Sequence, residues 1–187
     1  MIKFGTKIKT GNTLVKYHIT ADLHFGHKNV MKFCPKTRPW DTIEEMEDGL
    51  ISHWNSTVSP DDVVFVLGDM FFGSKEDISR ILHKLNGEIV HLYGNHAKVL
   101  RNQFKLNAYD YLEVRYNNVH IVMNHYAQRV WNRAHYGAVH LYGHSHGGLN
   151  SYGRSMDVGW DAHGRILSLD EAVEMCLTKD IEIPDQH

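Results

Sequence analysis

Four short polar stretches constrain this chain more than any other feature, because each directly follows a run of β-forming apolar residues. They are Asp22-Leu23-His24, Gly68-Asp69, Gly94-Asn95-His96 and Gly143-His144-Ser145-His146, and His125 ends a further such run. The carboxyl ends of neighbouring strands meet at one edge of a sheet, so these side chains are expected to build one site. Carboxylates, an amide and imidazoles without a thiolate suit two hard or borderline divalent cations.

The spacing inside the stretches supports this interpretation. Side chains two positions apart on an extended backbone point the same way, so Asp22 can share an ion with His24, and His144 with His146. Asp69 follows a continuously apolar run, where a carboxylate needs a cation or several donors. Each stretch alone also fits a turn cap or an ordinary loop residue. Their coincidence at five strand ends disfavours a purely structural explanation.

The apolar patterns predict an α/β protein with two facing sheets and helices outside, in one domain over residues 1–187. Capping boxes at Thr42 with Glu45 and at Ser168 with Glu171 predict two helix starts. Further helices are expected around 78–85 and over 99–106. Strands are predicted at 17–20, 63–67, 88–93, 112–116, 119–124, 138–142 and 154–158, and the segment 22–38 is expected to be a long loop.

Composition limits the environment and the partners. The formal charge of −2 gives no broad attraction to nucleic acid or to an anionic membrane. Cys34 and Cys176 form no CxxC pair, which favours a reducing, cytoplasmic location over a disulfide framework. Residues 1–10 lack the apolar core of a signal peptide, and no apolar run reaches the roughly 18–20 residues that span a bilayer.

Taken in this order, the motifs from Tyr17 to Val158 resemble the calcineurin-like metallophosphoesterase superfamily. Asp22-Leu23-His24-Phe25-Gly26-His27, continued by Phe33-Cys34 and Arg38-Pro39, is similar to a small prokaryotic and phage branch of it. The closing Asp157-Val158-Gly159-Trp160-Asp161-Ala162 shares this similarity.

The resemblance implies a four-layer α/β/β/α sandwich of two mixed sheets and a phosphoesterase reaction on two divalent metals. Mn²⁺ is favoured, with Fe, Ni²⁺ or Zn²⁺ as alternatives. It implies that Asp69 bridges the metals together with the attacking hydroxide, and that His96 protonates the leaving oxygen or stabilises the transition state. One metal is then held by Asp22, His24, Asp69 and His146, and the other by Asp69, Asn95, His125 and His144.

Two positions depart from the family pattern. Ala97 follows His96 where an acidic residue is usual, which removes a carboxylate that would orient the imidazole. Met70-Phe71-Phe72 follows Gly68-Asp69 without the Asp-Arg element of the Ser/Thr protein phosphatases, which counts against a protein phosphatase.

Substrate contacts are expected from His27, Asn29, Arg38 and Tyr126, among which Arg38 could pair with a phosphate. The leading hypothesis is a metal-dependent hydrolase of the phosphodiesterase type, acting on a small phosphodiester or nucleotide. One alternative is a nuclease, with Lys98, Arg101, Lys105, Arg129, Arg133 and Arg154 as a basic patch. Another alternative is a non-catalytic interaction module, although such modules lose ligand positions and this chain keeps all seven.

Overall fold

The computed structural model describes residues 2–3 and 14–182, with side-chain detail for residues 14–182. Within these residues there are ten strands: β1 Ile2–Lys3, β2 Tyr17–Thr20, β3 Val63–Leu67, β4 Glu88–Leu92, β5 Ala108–Tyr109, β6 Tyr111–Tyr116, β7 Val119–Asn124, β8 Val139–Tyr142, β9 Ser155–Asp157 and β10 Leu167–Ser168. The α-helices are α1 Val30–Phe33, α2 Ile43–Thr57, α3 Lys75–Leu82, α4 Lys98–Gln103, α5 Trp160–His163 and α6 Leu169–Leu177, and one 3-10 turn covers Ala134–Tyr136.

The strands form two five-stranded mixed sheets. The first sheet has the order β10-β2-β3-β4-β5, in which β10 is antiparallel to β2 and the remaining pairs are parallel. The second sheet has the order β1-β6-β7-β8-β9, in which the β6–β7 hairpin is the antiparallel pair. The parallel pairs leave the carboxyl ends of β2, β3 and β4 side by side, and likewise those of β7 and β8.

The two sheets face each other across a continuous apolar core. Ile19, Phe65 and Leu92 of the first sheet share one buried cluster with Ile121 and Leu141 of the second. Alternate residues of the first sheet, such as Val64 and Val66, pack instead against α2 and α3 in a second cluster. Strand β3 is therefore buried on both faces, which accounts for its uninterrupted apolar sequence.

The two outer faces are covered differently. The first sheet is covered by helices, whereas Val122 on the outer face of the second sheet packs against Trp131, Ala134 and Ala138. These residues belong to the segment around the 3-10 turn. Helix α6 contributes Ala172, Val173 and Cys176 to the core between the sheets. Within the described residues, a helical cover is thus seen on the first sheet only.

The structure confirms the α/β architecture, the two mixed sheets and the predicted capping box at Thr42. The N-cap at Ser168 also forms, since its hydroxyl accepts the amide of Glu171 at 3.1 Å. The helix expected over 99–106 runs from Lys98 to Gln103, and the long loop 22–38 contains the short helix α1.

The short strands β1, β5 and β10 were not predicted. Two-residue strands carry too few side chains to show a period of two. Residues 1–10, which are not expected to form a signal peptide, lie outside the described residues except for β1. In the described part of the chain, every helix is too short or too polar to cross a bilayer.

Candidate metal centre

The strand ends bring the predicted ligands to one edge of the two facing sheets. Asp22 follows β2, Asp69 follows β3 and Asn95 follows β4, whereas His125 follows β7 and His144 follows β8. Backbone hydrogen bonds join the first two of these loops, because the amides of Asp22 and His24 donate to the carbonyls of Gly68 and Asp69 at 3.1 and 3.0 Å. The convergence predicted from the sequence is thus present in the structure.

The first ligand group consists of Asp22, His24 and His146, whose ligand atoms all lie within 4.8 Å of one another. Asp22 and His24 are buried. Oδ1 of Asp22 and both ring nitrogens of His24 lack a hydrogen-bond partner among the described residues. Buried polar atoms are rarely left unpaired in native proteins. A cation between these atoms would satisfy them, so this donor set fits a metal ion.

The second ligand group consists of Asp69, His125 and His144, again within 4.8 Å of one another. Nδ1 of His125 donates to the carbonyl of Leu67 at 2.9 Å, which leaves Nε2 as an acceptor in the neutral ring. That Nε2 faces Oδ1 of Asn95 at 2.9 Å and Oδ2 of Asp69 at 3.5 Å. Three acceptors that face one another require a proton or a cation between them, so this group also fits a metal.

The two groups are adjacent. Oδ1 of Asp22 lies 3.9 Å from Nδ1 of His125, which places the carboxylate of the first group against a histidine of the second. Asp69 belongs to the second group and is not within the same 4.8 Å of all three members of the first. Its bridging role therefore stays a prediction from the family resemblance.

The backbone at the site is strained. Asp22, His24, Asp69, His144 and His146 all have positive φ, at 56°, 53°, 42°, 70° and 48°. A non-glycine residue in this left-handed region costs of the order of 1–3 kcal/mol, and such residues cluster at functional sites. Among the described non-glycine residues, only Asn117, Asn118 and Arg133 share this backbone conformation without being predicted ligands.

Two glycines make room for the second group. A Cβ at Gly68, which has a φ of +95°, would lie 2.2 Å from Nδ1 of His125. A Cβ at Gly94 would lie 2.1 Å from Oδ1 of Asp69. Glycine before Asp69 and before Asn95 is thus required by the close approach of the ligands, and not only by the turn.

Charge at the site follows burial and hydrogen bonding. Burial lowers the pKa of His24 to about 3, so its imidazole is neutral and available as a ligand. Burial opposes ionisation of Asp69, but the neighbouring His125 and the hydrogen bond from the amide of His96 bring its pKa down to about 2. Burial acts to lower the pKa of His125, but its interactions with Asp69, Leu67 and Asp22 outweigh burial and raise that pKa. The second group therefore favours a positive charge.

Asp22 provides a test of this electrostatic arrangement in metal-free protein. Burial raises its pKa from 3.8 to about 7, although His125 and His146 oppose the rise. The stability tied to this carboxyl is therefore fully present below about pH 4 and is lost as the pH rises to about 7. Asp22→Asn is expected to stabilise the chelator-stripped protein by about 1–3 kcal/mol at pH 8 and to change it little at pH 4.5.

The measurement is urea unfolding of both proteins at the two pH values. His24, whose lowered pKa acts in the opposite direction over the same pH range, makes the wild-type curve alone uninformative, so the difference between the proteins is the quantity to follow. Mn²⁺ should then stabilise the wild type more than the variant. Equal stability of the two proteins at pH 8 would contradict the raised pKa of the buried Asp22 carboxyl.

His96 lies beside both groups without belonging to either. Its amide donates to Oδ1 of Asp69 at 2.9 Å, and its exposed ring places Nε2 at 3.9 Å from Oδ2 of that residue. The ring centroids of His96 and His24 are 5.9 Å apart. Ala97 is buried and offers no carboxylate, whereas the ring of Phe72 packs 4.6 Å from that of His96. Phe72 therefore packs against His96, whereas the side chain of residue 97 offers it no hydrogen bond.

The predicted substrate contacts are placed unequally. The half-buried ring of His27 lies 5.3 Å from that of His24, and exposed Tyr126 lies 4.6 Å from His144. Asn29 is exposed at the N-cap of α1, where its side chain caps nothing. The predicted substrate contact of Arg38 is wrong. Arg38 is 1% exposed and paired with Asp161, so its guanidinium is not free to bind a phosphate. The loop around it folds inward because the buried Asp161 requires a cation.

Two carboxylates that the sequence did not mark as site residues support the last ligand loop. Asp161 accepts from Nδ1 of His146 at 2.7 Å. Asp157 accepts the amides of Gly147 and Gly159 at 2.9 and 2.7 Å. Both belong to the Asp157–Ala162 stretch on which the family resemblance partly rests. The sequence therefore marked these residues, but it did not predict that they support the ligands.

Cys34 forms a further potential ligand group with His146 and Asp161. Burial and nearby Asp161 raise the pKa of the Cys34 thiol to about 11, so the thiolate that a metal prefers is scarce at neutral pH. Asp161 is also already paired with Arg38. This group is therefore a poorer fit to a metal than the other two.

No family model matches the chain. An uncharacterized protein of Methanocaldococcus jannaschii is 40% identical over 85 residues, which are 44% of this chain and 47% of that protein. The chain thus spans about half the length of that relative. The gene 66 protein of Mycobacterium phage L5 is 26% identical over 192 residues, covering 83% of this chain and 91% of that protein.

Among solved structures, a protein of unknown function from Aquifex aeolicus overlays with a TM-score of 0.65 at 20% identity. The overlay covers 86% of this chain and 99% of that one, which shows a shared fold. A phosphoesterase from E. coli overlays with a TM-score of only 0.34 at 17% identity, over 71% of this chain and 70% of that one. A score this low does not establish a common fold.

Proposed function

We propose that this protein is a dinuclear metal-dependent phosphoesterase that prefers small phosphodiesters or nucleotides. The observation that carries the proposal is the pair of adjacent His/Asp groups, of which the first contains buried polar atoms of Asp22 and His24 without a protein partner among the described residues. The motif resemblance supplies the reaction type, and it extends to a single domain with the four-layer metallophosphoesterase sandwich. Relatives in an archaeon and a phage are in keeping with the prokaryotic and phage branch.

The chain's own residues would divide the chemistry as follows. Two divalent cations, when bound, supply Lewis acidity and lower the pKa of a coordinated water. Asp22, His24 and His146 would hold one cation, and Asn95, His125 and His144 the other, with Asp69 shared between them. His96 is exposed beside Asp69 and is free to donate a proton to the leaving oxygen.

A preference for diesters is supported by the two cavities that flank His96. One, of about 440 Å³, is lined by the first group's His24 and His146 together with Val30, Phe33 and Cys34. The other, of about 400 Å³, is lined by Phe72, Asn95, Ala97 and Lys98. A phosphodiester carries two organic substituents, and each cavity can receive one of them.

The charge of the cavities supports the same preference. The cavity beside Phe33 is lined by no lysine or arginine, and Lys98 is the one such residue lining the other. Arg38, the remaining candidate for a phosphate clamp, is buried against Asp161. A phosphodiester carries one negative charge, which two cations neutralise more readily than the higher charge of a monoester with few side-chain cations nearby.

Phe33 tests the organic side of the proposal, because it is 73% exposed at the mouth of its cavity. Phe33→Ala is expected to lower kcat/KM for bis-p-nitrophenyl phosphate by about 5–150-fold, since stacking of one aromatic group contributes about 1–3 kcal/mol. Tyr136→Ala removes an exposed aromatic ring elsewhere and should change nothing. Methyl p-nitrophenyl phosphate, in which the group that stays on phosphorus is a methyl, then locates the aromatic contact. If Phe33 contacts the retained group, Phe33→Ala should lower kcat/KM for this substrate only slightly; if Phe33 contacts the leaving group, the loss should match that for the bis-ester. An unchanged kcat/KM for the bis-ester would refute the role of Phe33.

The experiment that tests the function is hydrolysis of bis-p-nitrophenyl phosphate and p-nitrophenyl phosphate by chelator-stripped protein titrated with Mn²⁺, Ni²⁺, Zn²⁺ and Mg²⁺. We expect metal-restored turnover of the diester, with a smaller rate for the monoester. His24→Ala, which removes a ligand of the first group, is the control for a contaminating phosphatase. Equal turnover by wild type and this variant would reject the proposal.

The nuclease alternative is weakened by how the basic residues are engaged. Arg101 pairs with both carboxylate oxygens of Asp110, and its guanidinium also lies 3.9 Å from the Tyr93 ring. Arg154 donates to the carbonyl of Lys179 at 3.1 Å. Steep loss of activity on an oligonucleotide with rising salt would nevertheless favour a nuclease. Partner binding that is unaffected by metal removal would favour the interaction module.

A further inference from the structure

Arg38 and Asp161 form a buried ion pair directly behind the first ligand group. Nε of Arg38 donates to Oδ1 of Asp161 at 2.9 Å, and Nη2 donates to Oδ2 at 2.9 Å. The side chains of both residues are almost fully inaccessible, at 0% and 2% exposure. A charge pair removed from water in this way is retained only with good geometry and additional hydrogen bonds.

The remaining donors of Arg38 bind the backbone of the segment that carries two of the proposed ligands. Nη2 also donates to the carbonyl of Asp22 at 2.7 Å, and Nη1 donates to the carbonyl of Leu23 at 2.9 Å. The second hydrogen of Nη1 faces Sδ of Met46 at 3.6 Å. Asp22 and His24, which lie on either side of Leu23, both have a backbone with positive φ. One guanidinium therefore fixes the strained segment that presents both ligands.

Asp161 fixes the third ligand of the same group. Its Oδ2 accepts from Nδ1 of His146 at 2.7 Å, while Oδ1 accepts from the hydroxyl of Thr37 at 2.5 Å. A carboxylate on Nδ1 sets the tautomer, so that Nε2 of His146 carries the lone pair for a metal. Although burial opposes ionisation, the hydrogen bonds from His146 and Arg38 hold the pKa of Asp161 well below its usual range.

The second ligand group is oriented by other means. Nδ1 of His125 donates to the backbone carbonyl of Leu67, and the ring of His144 packs against that of Tyr126. Asp69 is held by the amide of His96. None of the hydrogen bonds of Arg38 described above reaches these residues. Oδ2 of Asp22 accepts the amide of His144 at 2.7 Å, so the two groups are in contact although different partners orient them.

We infer that Arg38 and Asp161 are positioning residues that preorganise Asp22, His24 and His146 as one metal site and affect the second site much less. This inference rests on the proposed metal centre but not on its catalytic activity. The sequence predicts that Arg38 contacts the substrate. The buried ion pair indicates instead that Arg38 positions the backbone that carries the metal ligands. Partners of this kind typically change metal affinity by about 10–100-fold.

The experiment measures Mn²⁺ binding by calorimetry in two backgrounds that isolate the sites. His144→Ala leaves the first group intact, and His24→Ala leaves the second. Adding Asp161→Asn is expected to weaken Mn²⁺ binding about 10–100-fold in the His144→Ala background and less than 2-fold in the His24→Ala background. Asp110→Asn, which removes the exposed partner of Arg101, is the matched control and should affect neither.

A second variant guards against misfolding, because breaking a buried ion pair is strongly destabilising. The double change Arg38→Met with Asp161→Leu removes both charges together and should give the same site-selective loss in folded protein. NMR of the imidazole nitrogens in metal-free protein should also show that His146 loses its single tautomer in Asp161→Asn. Equal loss at both sites, or no loss at either, overturns the inference. Normal metal binding without phosphoesterase activity would refute the proposed function and leave this inference standing.

Discussion

Asp69→Asn is expected to remove tight metal binding from the second ligand group and to lower diester turnover by about 10³-fold or more, which corresponds to about 4 kcal/mol of transition-state stabilisation. Asp69 is buried at the end of β3, with one oxygen on the amide of His96 and the other facing His125 at 3.5 Å. Its pKa of about 2 makes it the group's fixed negative charge. Asparagine has the same shape, and its amide oxygen can still accept the hydrogen bond from His96, but the substitution removes the negative charge.

The measurements for Asp69→Asn are metal content after dialysis and steady-state turnover. Asp110→Asn serves as the control because its carboxylate is exposed, pairs with Arg101 and belongs to neither ligand group. If the variant dialyses with the same metal content as the wild type, the ligand role of Asp69 is wrong. If metal is lost without any loss of turnover, the dinuclear mechanism is wrong.

His96→Ala is expected to leave metal content unchanged and to lower kcat by about 10²–10⁴-fold. The ring is exposed and stands outside both ligand groups, with Nε2 at 3.9 Å from Asp69. It is therefore placed to reach a substrate and not to hold an ion. His135→Ala, at an exposed histidine of the 3-10 turn, is the matched control.

The leaving group separates the two roles that remain open for His96. A general acid matters most when the leaving oxygen is a poor one, so the loss in His96→Ala should be larger for an alkyl ester than for a p-nitrophenyl ester. Stabilisation of charge on the phosphoryl group would instead give similar losses for both. A variant that turns over both substrates at the wild-type rate would show that His96 has no part in the reaction.

Much of the fold follows from local sequence patterns. The continuous apolar run Val63–Leu67 predicts a strand buried on both faces, and the structure places it between two apolar clusters. Thr42 and Glu45 mark the start of α2 because both halves of a capping box are local. The cover of the second sheet could not be read this way, since Trp131 and Ala134 pack from an irregular segment without periodicity.

The site was predictable where its residues follow strands, and obscure where it depends on long-range pairing. Asp22, Asp69, Asn95 and His144 are positioned by the strand ends that precede them. Arg38 was misread because its partner lies 123 positions further along the chain, and no local signal shows that an arginine is buried. Its inward position follows from the shape of the fold and from the need of Asp161 for a counter-charge.

The most direct test of the central claim is to restore diester turnover in chelator-stripped protein with known amounts of Mn²⁺ while bound metal is counted. If the two His/Asp groups form one catalytic centre, two ions will bind per chain, and turnover will rise chiefly as the second position fills. His24→Ala and His144→Ala should each bind one ion and remain nearly inactive. Full activity with one ion per chain, or in either variant, would contradict a dinuclear centre at this site.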